Sequence, residues 1–169
     1  MTTLQENTAT NFEVPPHILV MEDDLSVAKG LKMVLNEEGY SVNLAGTGEL
    51  ALEAFKQKRF DLLVADLRLP DIDGMEVIKQ IKAEKPETEV IVITGYGTTA
   101  TAVEAMKLGV HDFLPKPFTE DQIKKAIDEA LQEHVEKPTV AAIQKAQTEE
   151  EKLIQKREVL GVLSRTAED

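Results

Sequence analysis

At 169 residues the chain has room for one well-filled domain and a tail, and too little for two full-sized domains. A formal net charge of -12 and a pI near 4.7 set it against polyanions, which argues against nucleic acid and anionic membrane surfaces as partners. The absence of cysteine excludes disulfides, thiol nucleophiles and Cys-ligated zinc, and the histidines at 17, 111 and 134 do not fall at metal-ligand spacing.

The opening MTTLQENTATNFEVPP is polar and closes on Pro15-Pro16, so residues 1–16 read as a flexible leader without the basic start and apolar core of a signal peptide. From 17 to 134, short apolar runs alternate with helical patterns. In order these are HILVM, a helix over 25–38, YSVNLA, a helix over 47–58, DLLVAD, a helix over 74–84, EVIVIT, a helix over 98–108, HDFLP and a helix over 119–134. Consecutive apolar positions such as Ile91-Val92-Ile93 suit strands covered on both faces. Strand and helix in regular alternation predict an α/β fold, a doubly wound five-stranded parallel sheet with helices on both faces joined by right-handed crossovers.

Gly39 and Gly109 fall where left-handed C-caps are needed, and Thr47 and Thr119 precede periodic runs as N-caps. In the last helix Ile123, Ile127 and either Ala130 or Leu131 form one stripe for the sheet. Residues 135–169, interrupted by Pro138, hold good helix formers with a broken heptad, and read as a helical or partly disordered tail. No stretch approaches the roughly 18 apolar residues needed to cross a bilayer, so the expectation is a soluble, cytoplasmic protein without membrane insertion.

In an open parallel sheet the functional crevice lies beyond the carboxyl ends of the strands. Those ends carry Glu22, Asp23 and Asp24, then Asp66, Thr94 and Lys116. Two like charges 4 Å apart repel by about 4 kcal/mol at an effective dielectric near 20, so a crowd of carboxylates needs protons or a cation. Mg²⁺ suits such a cluster, because it binds through one or two carboxylates together with waters and a phosphate oxygen.

The segments ILVMEDD, LLVADLRLPDIDGMEVI, VIVITGYG and HDFLPKPF, in this order and spacing, resemble the receiver domain of two-component response regulators over residues 17–134. The stretch TGYGTTATAVEAMKLGVHDFLPKPF looks closest to receivers of ATP-dependent transcription activators. The resemblance implies a flavodoxin-like sheet of order 2-1-3-4-5. It implies a signalling receiver, not an enzyme acting on a separate substrate, with Asp66 as phosphoacceptor for a phosphohistidine on a sensor histidine kinase. Mg²⁺ would be held by Asp23, Asp24, Asp66 and the backbone carbonyl of Arg68. Lys116 would pair with the acceptor and then with the phosphoryl oxygens, Thr94 would donate its hydroxyl, and Phe113 would be the aromatic switch. Arg68 and Tyr96, two places after the acceptor and after the threonine, would border the path of hydrolytic water and set the phosphate lifetime. The Lys116-Pro117 bond is expected cis. The surface formed by 98–108, 112–114 and 119–134 would receive a downstream protein or a second copy.

Other readings compete. Asp71 and Asp73 in PDIDG read as turn chemistry, Glu22 as a loop stabiliser and His111 as a surface residue. A dehalogenase-like phosphatase built on DIDG fails because Leu69-Pro70 separates Asp71 from the apolar run, and Gly74 does not sit at the sixth place of a calcium loop. The remaining alternative is a phosphorylation-independent interaction module on the same fold. Neither a nucleotide-binding G-x-x-x-x-G-K-[ST] loop nor a basic helix-turn-helix pattern is present, so no direct nucleic-acid contact is expected.

Overall fold

The computed structural model describes residues 14–136, so most of the expected leader and tail lies outside the described residues. In chain order the elements are β1 (His17–Met21), α1 (Leu25–Glu37), β2 (Ser41–Ala45), α2 (Gly48–Gln57), β3 (Leu62–Asp66), α3 (Gly74–Glu84), β4 (Glu89–Thr94), α4 (Thr99–Lys107), β5 (Asp112–Pro115) and α5 (Glu120–Glu136). The strands form a five-stranded sheet of order β2-β1-β3-β4-β5 in which all the pairings are parallel, as expected.

Strand composition follows depth in the sheet. β3 and β4, at the centre, are buried at every position, which is why LLVAD and EVIVIT lack a polar alternation. β2 and β5, at the edges, are only partly buried. Alternate residues feed opposite faces: Leu19, Leu63 and Val92 pack under α2, α3 and α4 against Phe55, Ile78 and Ala105. Ile18, Val64 and Ile91 pack under α1 and α5 against Leu35, Ile123 and Ile127. Full burial of each such side chain contributes roughly 1.5–3 kcal/mol, which outweighs any single surface contact. Ala130 and Leu131 are both buried, so the α5 stripe is wider than the sequence pattern requires.

The helix ends follow the predicted chemistry. Thr47 Oγ1 accepts from Leu50 N at 3.1 Å, and Thr119 and Gln122 cap α5 reciprocally at 3.1 and 2.8 Å. Gly39 and Gly109 have φ of 95° and 90°, the left-handed conformation that a Cβ penalises. The Lys116-Pro117 peptide is cis. α5 runs to Glu136, slightly beyond the expected 134. Among the described residues no helix is long and apolar enough to cross a membrane.

Candidate functional site

Parallel register brings the strand ends into one layer. Met21 pairs with Ala65, Asp66 with Ile93 and Thr94 with Pro115, so the ends of β1 and β4 flank the end of β3, and Lys116 follows from β5 one strand further on. The result is a cleft of about 650 Å³ bordered by Asp23, Asp24, Asp66, Arg68, Tyr96 and Lys116, on the side where the strand order reverses. A second groove of about 730 Å³ between α1 and α5 is mostly apolar and lacks a carboxylate cluster.

Asp66 is 4% exposed, at the end of a fully buried strand. Its Oδ2 accepts from Lys116 Nζ at 2.9 Å and its Oδ1 from the backbone N–H of Arg68 at 3.2 Å. Lys116 Nζ also donates to Glu22 Oε1 at 2.5 Å, and Glu22 is 2% exposed. One ammonium therefore serves two buried carboxyl groups. Burial, followed by the neighbouring Asp66 carboxyl, pushes the Glu22 carboxyl up from 4.5 to about 8. Burial also opposes ionisation of Asp66, but the neighbouring Glu22 carboxyl and the bonds from Lys116 and the Arg68 amide outweigh that and hold its carboxyl below the ordinary range. For Lys116, burial opposes the charge and the two carboxyl partners more than restore it, so its ammonium is held above the usual value. In metal-free protein the trio thus favours a proton on Glu22 beside an ionised Asp66–Lys116 pair.

That proton has a stability consequence in metal-free protein. A carboxyl whose native pKa exceeds its unfolded value stays protonated in the native state after the unfolded chain has lost its proton. Rising pH therefore costs stability between about 4.5 and about 8. In the presence of EDTA, the melting temperature of the parent is expected to fall relative to that of Glu22→Gln across this window. Parallel curves for the two proteins would contradict the assignment.

One carboxylate oxygen from each of Glu22, Asp23 and Asp66 lies within 4.8 Å of the other two. Glu22 Oε2 is buried without a hydrogen-bond partner. An all-oxygen acidic set with an unsatisfied acceptor fits a hard divalent cation such as Mg²⁺, which also favours the ionised form of Glu22. Of the expected acidic pair, Asp23 is in this group. Asp24 borders the cleft, but its Oδ1 accepts from Ser26 N at 3.0 Å and Val27 N at 3.3 Å, as the N-cap of α1. The Asp24 carboxylate is engaged at the entrance of α1, and the acids grouped with Asp66 are Glu22 and Asp23. Asp24→Ala is expected to cost about 1 kcal/mol of stability through the lost cap while leaving Mg²⁺ affinity nearly intact. Asp23→Ala is expected to abolish the rise in melting temperature on adding Mg²⁺. Equal loss of that rise in both variants would return Asp24 to the cluster.

Of the remaining candidates, Arg68 and Tyr96 border the cleft. Thr94 is fully buried, and its Oγ1 accepts from Tyr96 N at 3.1 Å. The Arg68 guanidinium lies 4.0 Å from the Tyr96 ring centroid, and both residues border the cleft. Phe113 is half-buried against the α2–α4 side of the core, and a Cβ at Gly97 would come within 2.7 Å of its ring. The ring therefore depends on a glycine beneath it. Asp73 caps α3 through Met75 N at 3.0 Å. His111 is half-buried, and its backbone amide donates to Val90 O at 2.7 Å. The sequence undervalues Glu22 and Asp71. The signal for Glu22 is an acid placed directly after the wholly apolar ILVM; Asp71, discussed below, takes partners on a distant helix.

The profile of the response regulator receiver domain matches residues 18–128. The transcriptional regulatory protein ZraR of Escherichia coli O157:H7 is 40% identical over 131 residues, which cover 75% of this chain and 30% of that protein. The chain thus spans less than a third of this relative. Among solved structures, the CheY-like receiver domain protein of Methanospirillum hungatei JF-1 superposes with a TM-score of 0.72 at 27% identity, covering 73% of this chain and 99% of the other. The beryllofluoride-activated NtrC4 receiver domain dimer superposes with a TM-score of 0.67 at 39% identity, covering 70% of this chain and 98% of the other.

Proposed function

The chain belongs to the response regulator receiver domain family of two-component systems, and from that premise we propose that it is switched by phosphorylation of Asp66, with a sensor histidine kinase as donor. Within it, residues 17–134 act as the receiver, 1–16 as a leader and 135–169 as a tail. The observation that carries the reading is Asp66 itself: an ionised carboxylate at the end of the central strand, bonded to Lys116 and adjoining a group of acidic oxygens.

In the reaction the Asp66 carboxylate attacks phosphorus, the P–N bond of the phosphohistidine breaks, and the leaving imidazole nitrogen takes up a proton while an acyl phosphate forms. Lys116 can follow the charge from Asp66 to the phosphoryl oxygens, because its ammonium already lies 2.9 Å from the attacking group. Glu22, Asp23, Asp66 and the Arg68 carbonyl would hold Mg²⁺, which when bound offsets negative charge on the transferring group. Thr94, once its hydroxyl turns from the loop to the phosphoryl oxygens, draws the β4–α4 loop inward. The half-buried Phe113 ring repacks with it. Because Phe has no hydroxyl, its position is decided by packing alone. The surface of α4, β5 and α5 changes and engages a downstream protein or a second copy.

Phosphotransfer from a panel of sensor kinases, followed by hydrogen exchange of the α4–β5–α5 surface, tests this reading. A labelled chain with altered exchange is expected. An unlabelled chain that still binds its partner would instead favour the phosphorylation-independent module.

The signal should also be long-lived. Hydrolysis needs water in line with the P–O bond, and the Arg68–Tyr96 contact, worth about 0.5–1 kcal/mol at an exposed site, borders the cleft through which that water would pass. Arg68→Ala and Tyr96→Ala should each speed self-dephosphorylation several-fold after the phosphodonor is removed. Unchanged or slower decay in both would show that these side chains do not guard the site.

A further inference from the structure

Asp71 lies outside the cleft, on the exposed part of the 67–73 loop that joins β3 to α3. Its two oxygens reach a different helix: Oδ1 accepts from Gly48 N at 2.9 Å and Oδ2 from Glu49 N at 2.9 Å. These are the first amides of α2, which have no partner within their own helix. Thr47 Oγ1 serves Leu50 N, so Asp71 completes the cap from 23 residues away. The donated bonds, that of the Glu49 amide first, hold its carboxyl below the ordinary range and keep it charged, which strengthens both contacts.

The packing around this clamp is tight. A Cβ at Gly48 would lie 2.9 Å from Val77 Cγ2 and 3.2 Å from Ile72 Cβ, so the start of α2 presses on both the loop and α3. At the base of the loop Gly74 N donates to Leu67 O at 2.9 Å, and a Cβ at Gly74 would lie 2.4 Å from Asp66 O. The loop is therefore closed at its base by Gly74 and tied at its apex by Asp71. Between these anchors sits Arg68, whose amide donates to Asp66 Oδ1.

We propose that Asp71 is a positioning residue for the phosphoryl site. Seated on the first amides of α2, its carboxylate fixes the apex of the 67–73 loop and so holds the Arg68 backbone in place at Asp66. The inference rests on the reading of Asp66 and the Arg68 carbonyl as the groups that meet Mg²⁺ and the phosphoryl group. It adds to that reading the group that supports them from outside the cleft, and makes α2 part of the site's scaffold. Residues that orient metal ligands without touching the metal typically change affinity by about 10–100-fold when removed.

The test is calorimetric titration of the full chain with Mg²⁺ alone, together with amide exchange at Arg68. Asp71→Ala is expected to weaken Mg²⁺ binding about tenfold and to speed exchange of the Arg68 amide. Asp71→Asn, which keeps one acceptor oxygen, should fall between this variant and the parent. Thr47→Val removes a cap from the same helix without untying the loop, and should leave Mg²⁺ affinity and Arg68 exchange unchanged. Parent-like affinity and exchange in Asp71→Ala would overturn the proposal, as would equal losses in Thr47→Val, which would reduce the effect to helix stability. A parent chain that binds no Mg²⁺ would overturn the reading of the site, and this inference with it.

Discussion

Asp66→Asn is expected to eliminate acyl phosphate formation from small-molecule donors and from kinases alike. The substitution preserves shape and both flanking strands, and it leaves Lys116 its 2.5 Å contact with Glu22, so the variant should fold. It removes the charge and the nucleophilic oxygen together, and an amide cannot replace either. A secondary effect follows from the coupling at the site: the adjacent Asp66 carboxylate and its charge contribute to the raised Glu22 carboxyl, so Glu22 should titrate lower in the variant. Phosphoryl incorporation is the readout. Labelling comparable to the parent would remove Asp66 from the mechanism.

Lys116→Ala should produce the second-largest loss. Its ammonium is the cation bonded to both Glu22 and Asp66, and in the reaction it would meet the charge moving onto the phosphoryl oxygens. Removing one preorganised donor from such a site lowers rates roughly 10²- to 10³-fold, and a fall of that order in phosphorylation by acetyl phosphate is expected. The same deletion leaves two buried carboxyl groups without their shared counter-charge, so Mg²⁺ should raise the melting temperature more in the variant than in the parent. A parent-like rate together with an unchanged Mg²⁺ response would contradict the role given to Lys116.

The fold was largely legible because its determinants are local or periodic. The uninterrupted apolar runs of β3 and β4 follow from burial on both faces, and Gly39 and Gly109 sit at positive φ where helices end. The site was legible to the extent that strand ends carry its residues: Asp66, Thr94 and Lys116 gather because parallel register aligns those ends. Within the acidic run Glu22-Asp23-Asp24 the pattern could not decide which carboxylates face Asp66, since one residue of difference in where α1 starts converts a candidate ligand into a cap. The same limit applies to Asp71. Its turn-like surroundings are a local signal, whereas its bonds to Gly48 and Glu49 exist only after α2 and the loop have packed together. The dependence of the Phe113 ring on Gly97 is likewise a tertiary fact, invisible in the separate segments TGYG and HDFLP.

The central claim is that one carboxylate in this cleft carries the signal. It is tested most directly by incubating the parent chain with Mg²⁺ and a phosphodonor, trapping the acyl phosphate, and locating it by tandem mass spectrometry. A single modified residue, Asp66, is expected, with no modification when Mg²⁺ is chelated. A phosphoryl group on any other side chain, or equal modification of Asp66 without the metal, would contradict it.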